Sequence, residues 1–572
     1  MAKTTNLRRR RVKQRPIEIP KSRRLAFNQP IILLILCPLL LAGIASRVHL
    51  LGRSLWLDEA WVANSMQAPT LSGAFFYDDW LQTSPPLFIA LGRACILLLG
   101  SSNVALRVLP AFFGVLAIFL FVFLVFKFLK PTFALIGVLL FVVSPRVIVY
   151  SQSLKQYSSD VLATVGLLVL ALVYLDKRSD RWFWGLFAGT VALSFLSYPA
   201  MLFFPFVLLC AFVKSGTQSP PDAASIIHRL NWLRGVCATA LAILVCLTIF
   251  NFFIAPNNSP SLAEFFHDGF SRGNRPAELL SFYWKRFLTL PEVFFFGGPG
   301  PLRVVALWLT ALGFGFLWAR MRNLANVNCF FTAFLFTAPI AAVVALNLLG
   351  VFPMPSFQHR VLLFLFPVVT VVFCFGLQMV VVLMSRFLAV TLKMLNATLF
   401  ERIIGGLALF AIIAVGCLFF STVGVMPFFA EEHEDSEEAV AFLRERVGSD
   451  DVLFVHPTMR EQFKHYTRVY PIVAQRIIYG NLGKPCCPRH DYRPPEQESE
   501  KESIDEISSL KNAAAGRRLW VLMTNRRLHW VHMRRNDIEM LDRGLTVSGC
   551  QRLGNARFTG VYLAGFTCEQ RS

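Results

Sequence analysis

Two adjacent carboxylates, Asp58 and Glu59, stand in the stretch GRSLWLDEAW, just after the first long apolar segment of the chain. A carboxylate within hydrogen-bond reach of a hydroxyl can take its proton as a new bond forms, so an acid here could serve as a general base. Asp58 could instead cap the helix that follows by accepting a backbone N–H. Because neighbouring residues on a helix point about 100° apart, we expect Asp58 and Glu59 to have different roles.

A second polar cluster lies in SPRVIVYSQSLKQYSSD, between two apolar segments. Polar groups beside lipid are costly unless they face a cavity or one another, which makes such a cluster a candidate functional site. The residues of this cluster that we expect to contact a ligand are Gln152, Lys155, Tyr157 and Asp160.

Further polar residues flank other apolar segments. His359 and Arg360 open a later apolar segment in QHRVLLF, and Asp78 and Asp79 follow the first cluster in FYDDW. A lone arginine there could simply extend to the lipid headgroups, and loop acids commonly face solvent. The topology described next places all of these residues on one face of a membrane. This convergence from distant parts of the chain favours a shared site.

The elements that position these residues follow from composition. The chain has 572 residues, of which 55% are hydrophobic and 55 are phenylalanine, and its mean hydropathy is +0.54. A single soluble core stops growing at about 250–300 residues, so a water-soluble fold would not need this much apolar surface. Apolar runs of about 17–25 residues recur along most of the chain, and this length crosses the hydrocarbon of a bilayer. The sequence therefore predicts a polytopic α-helical membrane protein.

Much of the net charge of +21 lies in the N-terminal tail and in short basic clusters between apolar segments. Cytoplasmic loops collect lysine and arginine, so this distribution is typical of a topology signal rather than of a nucleic-acid-binding arm. The tail is also too long and too basic for a cleaved secretory signal. We therefore expect residues 31–50 to form the first spanning helix, entering the membrane from the cytoplasm.

The remaining apolar segments predict about eleven crossings, and every strongly basic short loop then falls on the cytoplasmic side. The segment 85–100 is only about 16 residues long, so we expect it to lie in the membrane interface on the periplasmic side. The odd number of crossings places the C-terminal segment outside. The predicted crossings are 31–50, 104–126, 132–149, 158–175, 182–196, 199–212, 235–254, 302–318, 329–349, 361–384 and 403–420.

The composition becomes that of a soluble domain near residue 431. An amphipathic helix there precedes the predicted strand Val452–Val455, and RRLWVLMT and TGVYLAGF are further strand candidates. No glycine-rich phosphate loop joins the helix to the strand, so no cofactor is assigned to this domain. Three regions follow: a basic cytoplasmic tail (1–30), a transmembrane domain (31–428) and a small extracytoplasmic α/β domain (429–572).

Four of the 12 cysteines, Cys486, Cys487, Cys550 and Cys568, fall in the predicted exterior domain. Four cysteines in an oxidising compartment predict two disulfides, with three alternative pairings. A bond between neighbours would be strained, so we expect Cys486 and Cys487 each to pair with Cys550 or Cys568. A zinc site is the weaker alternative, because the spacing lacks a C-x-x-C pair.

The ordered motifs LWLDEAW, SPPLF, NVALRVLPAFFG, SPRVIVYSQSLKQYSSD, FLSYPAMLFF and HRVLLFLFP resemble the GT-C superfamily of membrane glycosyltransferases. Within it, the chain is similar to the bacterial branch of protein O-mannosyltransferases and lipid A aminoarabinose transferases, over roughly residues 31–427. The resemblance implies a GT-C-like fold in a bacterial inner membrane, with the N-terminus cytoplasmic and the C-terminal domain periplasmic. It also implies transfer of a sugar from a polyprenyl-phosphate donor to a lipid, glycan or protein acceptor at the outer face.

The resemblance further implies roles for the polar residues. Asp58 would be the catalytic base of a displacement that inverts the anomeric carbon, with Glu59 orienting or binding beside it. The implied donor-phosphate ligands are Lys155, Arg360 and His359, and the implied substrate ligands are Gln152, Tyr157, Asp160, Asp78 and Asp79. No metal cofactor is required, although Asp58 with Asp78 and Asp79 could hold a divalent cation. The chain departs from many relatives at Ser153, where a Glu is common, and at Ser84, where a His is common.

Other classes of protein remain open on the sequence. A transporter would place charges near the bilayer midplane on broken helices, whereas these clusters lie at one edge of the membrane. A flippase or polymerase of lipid-linked glycans could use the same basic residues. A non-enzymatic receptor could bind a ligand through the exterior domain.

Overall fold

The computed structural model describes most of the membrane part and of the C-terminal domain. Asp78, Asp79, Cys486, Cys487 and most of the predicted eleventh crossing lie outside the described residues. The described residues are 29–77, 83–212, 224–257, 266–271, 275–294, 300–319, 327–354, 359–391, 403, 405–407, 409–410, 434–480, 500–524 and 537–569.

The described helices form a membrane body followed by the helices of the C-terminal domain. The first group is α1 Gln29–Val48, α2 Leu57–Met66, α3 Leu71–Phe75, α4 Pro86–Leu99, α5 Asn103–Phe128, α6 Pro131–Val143, α7 Pro145–Ser151, α8 Tyr157–Lys177, α9 Asp180–Leu196, α10 Phe204–Phe212, α11 Ala224–Ile249, α12 Pro276–Phe294, α13 Gly300–Ala319, α14 Val327–Leu348 and α15 Phe366–Thr391. The C-terminal helices are α16 Ser436–Arg446, α17 Arg460–Tyr466, α18 Glu500–Ala513 and α19 Asp537–Val547.

Six described helices are long and apolar enough to cross a membrane, so the chain is an integral membrane protein. They are Pro30–Val48, Asn103–Phe128, Tyr157–Lys177, Asn231–Asn257, Asn328–Leu348 and Arg360–Leu388. The bent pair α6 and α7 would make a seventh, and three shorter apolar helices are Pro86–Leu99, Tyr198–Phe212 and Val304–Ala319. The polytopic helical fold is thus confirmed, and the count of eleven crossings stays a prediction.

The predicted third crossing is not one straight helix, because α6 and α7 meet at an angle of 53°. Pro145 has no N–H, so the carbonyl of Phe141, four residues earlier, loses its helical donor. The fully buried guanidinium of Arg47 donates to this carbonyl at 3.2 Å and to that of Val142 at 3.3 Å. The break is therefore stabilised from α1, and the chain after it turns into the loop that carries Lys155.

Close packing of α13 against α15 fixes the segment that precedes α15. A Cβ added at Gly313 would lie 2.2 Å from the carbonyl oxygen of Val372, and one at Gly376 would lie 2.0 Å from that of Leu309. Only glycine allows such an approach of two helix backbones. The 3₁₀ segment before α15, His359–Leu365, carries Arg360 and packs against α8.

The C-terminal domain is a five-stranded sheet with helices, in the strand order β2–β1–β3–β5–β4. The strands are β1 Val452–Val455, β2 Arg476–Tyr479, β3 Arg518–Thr524, β4 Cys550–Phe558 and β5 Val561–Cys568. β1 pairs in parallel with β2 and β3, whereas β5 pairs antiparallel with β3 and β4. All four residues of β1 are buried, as a strand in the centre of a covered sheet should be. The predicted α/β class and the predicted strand at Val452–Val455 are confirmed.

The expected disulfide pairing is wrong. Cys550 is bonded to Cys568, whereas we expected each of them to pair with Cys486 or Cys487. The reason lies in the register, because β4 and β5 are antiparallel neighbours and Cys550 stands directly opposite Cys568. Residues that face each other in a ladder already have the short separation that a disulfide needs.

Candidate active site

Asp58 lies in the first turn of α2, and its side chain does not cap that helix. Trp56 is the N-cap residue, and no side-chain hydrogen bond caps this end of the helix. Asp58 is a buried residue, with an exposed fraction of 2%. Its Oδ2 accepts a hydrogen bond from Nη1 of Arg360 at 2.8 Å and lies 3.8 Å from Nζ of Lys155. The structure thus brings together one residue from each of three polar clusters.

Aromatic rings hold both cations beside Asp58. The ammonium of Lys155 lies 4.3 Å from the ring centroid of Trp61. The guanidinium of Arg360 lies 6.0 Å from the ring of Trp56 and 5.8 Å from that of Tyr157. Rings attract a cation through their negative faces, and the attraction grows where water is excluded. The positive groups therefore have positions of their own that do not depend on Asp58 alone.

The Asp58 carboxylate has hydrogen-bonding capacity left over. Its Oδ1 is buried and accepts no hydrogen bond within the described residues. An ionised carboxylate offers about four lone-pair sites, so this oxygen can accept from a ligand. Asp58, Arg360 and Lys155 together carry a formal charge of +1 in a buried place, which favours a monoanionic ligand.

Glu59 belongs to a different set of contacts, on another face of α2. Its Oε1 and Oε2 accept from Nε and Nη2 of Arg107 at 2.9 and 2.6 Å, in a two-pronged pair whose residues are both nearly inaccessible. Oε1 also accepts the backbone N–H of Leu154 at 2.6 Å. Because Leu154 precedes Lys155, Glu59 links the backbone of the lysine loop to the helix of Asp58.

Arg107 also fixes the chain that leads into α2. Its guanidinium donates to the carbonyl oxygens of Leu51 at 2.9 Å and Ser54 at 3.0 Å, and to that of Arg53. A rigid fork of donors is suited to holding several acceptors at once. Sequence reasoning missed this residue, although an arginine in the first turns of a spanning helix is itself a signal for a buried partner.

Of the other predicted site residues, the structure describes Gln152, Tyr157 and Asp160. Gln152 donates to the carbonyl of Ser46 and lies 3.3 Å from Nδ1 of His49, so its amide braces α1. Asp160 is buried on α8 with 6% exposure. The ring of Tyr157 faces Arg360, as described above. The side chain of His359 and the residues Asp78 and Asp79 lie outside the described part of the chain.

The C-terminal domain packs on α2 through its own helix α17. Glu461, with 0% exposure, accepts from Nδ2 of Asn64 at 2.8 Å and from the hydroxyl of Tyr77 at 3.1 Å. Tyr466 accepts the backbone N–H of Leu55 at 2.6 Å. No sequence signal pointed to Glu461 or Tyr466, because they are 397 and 411 positions away from their partners Asn64 and Leu55. The residues described in the structure hold no group of three or more His, Cys, Asp or Glu side chains suited to a metal ion.

No protein-family model matches the sequence, and no curated protein matches it significantly. Solved structures do match. ArnT from Cupriavidus metallidurans in the apo state has a TM-score of 0.47 at 12% identity, covering 94% of this chain and 98% of that chain. ArnT from the same organism bound to undecaprenyl phosphate has a TM-score of 0.46 at 12% identity over the same shares.

A third match is the oligosaccharyltransferase AglB from Archaeoglobus fulgidus, in complex with an inhibitory peptide and a dolichol-phosphate. Its TM-score is 0.49 at 12% identity, covering 95% of this chain and 75% of that chain. The likeness to these structures is distant.

Proposed function

We propose that this protein is a glycosyltransferase that moves a sugar from a polyprenyl-phosphate donor to an acceptor hydroxyl at the outer face of the membrane. One observation carries the proposal. A buried carboxylate, Asp58, contacts the cations of Arg360 and Lys155 and keeps one oxygen without a hydrogen-bond partner among the described residues. In this proposal Asp58 is the general base, and Arg360 and Lys155, whose cationic nitrogens lie 2.8 and 3.8 Å from its Oδ2, bind the donor phosphate.

The charge of the site fits the donor. A polyprenyl-phosphate sugar is a phosphodiester with one negative charge, which would balance the formal +1 of Asp58, Arg360 and Lys155. When the sugar leaves, the phosphate becomes a monoester and gains negative charge. Preorganised cations that face a developing charge stabilise the transition state and need no reorganisation at that moment. The planar fork of Arg360 suits two phosphate oxygens, and Lys155 acts as a point charge beside it.

One general base is enough for the proposed displacement, because one proton is removed as one bond forms and one breaks. The acceptor hydroxyl donates its proton to Oδ1 of Asp58 while its oxygen forms a bond to the anomeric carbon. The bond between that carbon and the phosphate oxygen breaks, and its electron pair stays on the departing polyprenyl phosphate. A single displacement of this kind inverts the anomeric carbon. The reaction needs no redox partner, and the two cations take the role that a metal would have at the phosphate.

In this proposal Glu59 positions the site rather than touching the reacting atoms. Its paired oxygens already accept three hydrogen bonds from Arg107 and Leu154. The acceptor would be a lipid, a glycan or a protein, and the site would face the periplasm of a bacterial inner membrane. The N-terminus would then be cytoplasmic and the C-terminal domain periplasmic.

Purified protein in lipid nanodiscs, wild type against Asp58→Asn, tests the proposal. Binding of radiolabelled polyprenyl-phosphate sugars and release of polyprenyl phosphate with candidate acceptors are measured side by side. We expect turnover in the wild type, and in the variant a loss of about 10²–10⁴-fold in kcat, the range usual for a general base. Donor binding should persist or tighten, because the substitution raises the formal charge of the site.

The outcomes separate the classes of protein. Absence of donor binding in both forms, across the panel of sugars, would overturn the proposal. Movement of the lipid-linked sugar across the bilayer without cleavage would favour a flippase. Unchanged turnover in Asp58→Asn would refute the assignment of the base.

A further inference from the structure

A tyrosine of the exterior domain is bonded directly to the chain that leads into the Asp58 helix. Tyr466, at the end of α17, is 2% exposed. Its hydroxyl accepts the backbone N–H of Leu55 at 2.6 Å and donates to Oδ1 of Asn103 at 3.1 Å. One hydroxyl therefore joins the first extracytoplasmic segment to the start of the spanning helix α5.

The same segment is held on its carbonyl side from α5. Asn103 and Arg107 stand four residues apart on this helix and so share a face. Arg107 binds the carbonyls of Leu51, Arg53 and Ser54, whereas Tyr466 binds the next N–H, that of Leu55. In the residues just before α2, the carbonyl oxygens are thus bound by Arg107 of the membrane body. The N–H of Leu55 is bound by Tyr466 of the C-terminal domain.

These contacts hold the chain just before α2, which begins without a side-chain cap. Helices usually begin at a Ser, Thr, Asp or Asn whose side chain satisfies the first N–H groups. Here the N-cap residue is Trp56, whose side chain makes no capping hydrogen bond. The start of α2 is therefore set by tertiary contacts, and Asp58 stands only three residues after Leu55.

We infer that Tyr466 is a positioning residue for Asp58, so that the exterior domain sets the geometry of the base. This inference rests on the proposed function. The aligned atoms of a general base tolerate little displacement, since a misplacement of about 1 Å can cost 10²-fold in rate. Loss of the Tyr466 hydroxyl leaves the N–H of Leu55 buried without an acceptor, and the segment is expected to shift.

The domain itself should stay in place without that hydroxyl. Other polar contacts of the interface do not involve it, including those of Ser54 with Glu438 at 2.7 Å and of Asn64 with Glu461 at 2.8 Å. Donor binding should also persist, because Arg360 is held by the ring of Tyr157 and Lys155 by that of Trp61, both outside the segment that the Tyr466 hydroxyl holds. The expected signature is a change in kcat without a change in the donor KM.

The test compares Tyr466→Phe with Tyr562→Phe in the full-length protein. Tyr562 lies on β5 of the same domain, and its hydroxyl bonds to Asp542 at 3.1 Å, away from α2. We expect Tyr466→Phe to lower kcat for polyprenyl-phosphate release about tenfold at unchanged donor KM, a fraction of the loss for a misplaced base. Tyr562→Phe should match the wild type in both constants.

Several results would overturn the inference. One is full kcat in Tyr466→Phe, and another is a rise in donor KM alone. If Tyr466→Phe unfolds at a lower temperature than Tyr562→Phe, Asn103→Leu gives a second test, since it removes the acceptor of the Tyr466 hydroxyl. Asn103→Leu is then expected to lower kcat at unchanged KM, and a normal kcat refutes the inference. A wild type without turnover, or an active Asp58→Asn, refutes the proposed function instead.

Discussion

Two neighbouring acids on α2 each form a buried pair with an arginine. The pairs differ in how many carboxylate oxygens accept a hydrogen bond. Glu59 uses both oxygens, accepting two bonds from Arg107 and one from the N–H of Leu154. Asp58 accepts one bond from Arg360 through Oδ2 and leaves Oδ1 unpartnered within the described residues. Both acids are at most 2% exposed, so burial does not distinguish them.

The difference teaches how a buried ion pair can be classified. A saturated pair has no capacity for another ligand, and removing one partner leaves a charge without compensation. An unsaturated pair costs the fold free energy, because a buried oxygen without a donor pays its full desolvation penalty. Such a cost is characteristic of functional sites, where the missing partner is the substrate. The saturated pair at Glu59 therefore builds the site that the unsaturated pair at Asp58 would use.

The largest effect on stability is expected at the saturated pair. Glu59→Gln should lower the free energy of unfolding by about 3–5 kcal/mol, because Arg107 is left buried without its carboxylate. Asp58→Asn should cost less, since aromatic rings also hold Arg360 and Lys155. Thermal unfolding midpoints in detergent measure both.

A matched control for that comparison is Glu539→Gln. Glu539 forms an exposed pair with Arg543 at 3.6 Å, and exposed pairs contribute about 0–1 kcal/mol. Equal losses for Glu59→Gln and Asp58→Asn would show that the two pairs do not differ as described.

The next largest effect concerns donor recognition by Arg360. Arg360→Gln is expected to lower kcat/KM for the donor about 100-fold, because charge-assisted bonds to phosphate contribute roughly 1.5–3 kcal/mol. Kinetics with a polyprenyl-phosphate sugar measure this loss. Arg557→Gln, at an exposed position of β4, should behave like the wild type. A loss confined to the acceptor KM would contradict the phosphate role.

Lys155 is expected to contribute less, because it lies farther from Asp58 and acts without a fork of donors. Lys155→Met replaces the ammonium by an uncharged group on an unbranched side chain and should lower kcat about tenfold, mainly through charge lost as the phosphate departs. Lys127→Met, at the far end of α5 where Lys127 pairs with Asp176, is the control. The same loss in both variants would indicate a general effect of charge.

Low pH is expected to destabilise the C-terminal domain, whose helix α17 packs on α2. Burial lowers the pKa of His465 to about 3, from an ordinary value near 6.5, with Arg468 and Arg107 adding to the shift. Below pH 6.5 the unfolded chain takes up a proton on this histidine, whereas the folded state keeps the histidine neutral. The contribution of His465 to the free energy of unfolding is therefore fully present above pH 6.5. It then falls toward pH 3 by about 1.4 kcal/mol per pH unit.

Unfolding midpoints between pH 7 and 4 test this dependence. His465→Gln should flatten the slope, as should His456→Gln, because burial also lowers the pKa of His456 to about 3. An unchanged slope in both variants would contradict the assignment. Nδ1 of His465 lies 3.3 Å from Nε2 of Gln67 at the end of α2. We therefore expect kcat to fall as the pH is lowered, and we expect only His465→Gln, not His456→Gln, to make this fall less steep.

The smallest effect is expected from chelation. Dialysis against EDTA should leave turnover unchanged, because Arg360 and Lys155 lie 2.8 and 3.8 Å from Oδ2 of Asp58 and would repel a divalent cation. Turnover is measured before dialysis, after it, and after addition of Mg²⁺. A loss that Mg²⁺ restores would show that the charge at the phosphate is not supplied by these two residues alone.

Much of the site could be anticipated from the sequence because a membrane constrains where polar residues can stand. Asp58, Lys155 and Arg360 each adjoin an apolar segment, and the charge of the loops assigns those ends to one face. The structure places the three side chains in contact. Their mutual distances could not be predicted, since they depend on how α2, α8 and α15 pack.

Other features were beyond the sequence for identifiable reasons. The pairing of Cys550 with Cys568 depends on the register of β4 and β5, which the spacing of cysteines does not encode. The bend after α6 could have been anticipated from Pro145, since a proline removes a helical donor. The contact of Tyr466 with Leu55 joins residues from two regions whose docking no local pattern specifies.

The docking of α17 on α2 has a consequence for biosynthesis. Leu55 and Tyr466 are separated by 411 positions in the sequence. At about 5–20 residues per second, a ribosome needs roughly 20–80 s to pass from the first to the second. Every described spanning helix after the first is synthesised in that interval, before Tyr466 emerges. The nascent protein would therefore lack the Tyr466 contact with the segment before Asp58 until the C-terminal domain has folded, so we expect chains truncated before that domain to be inactive.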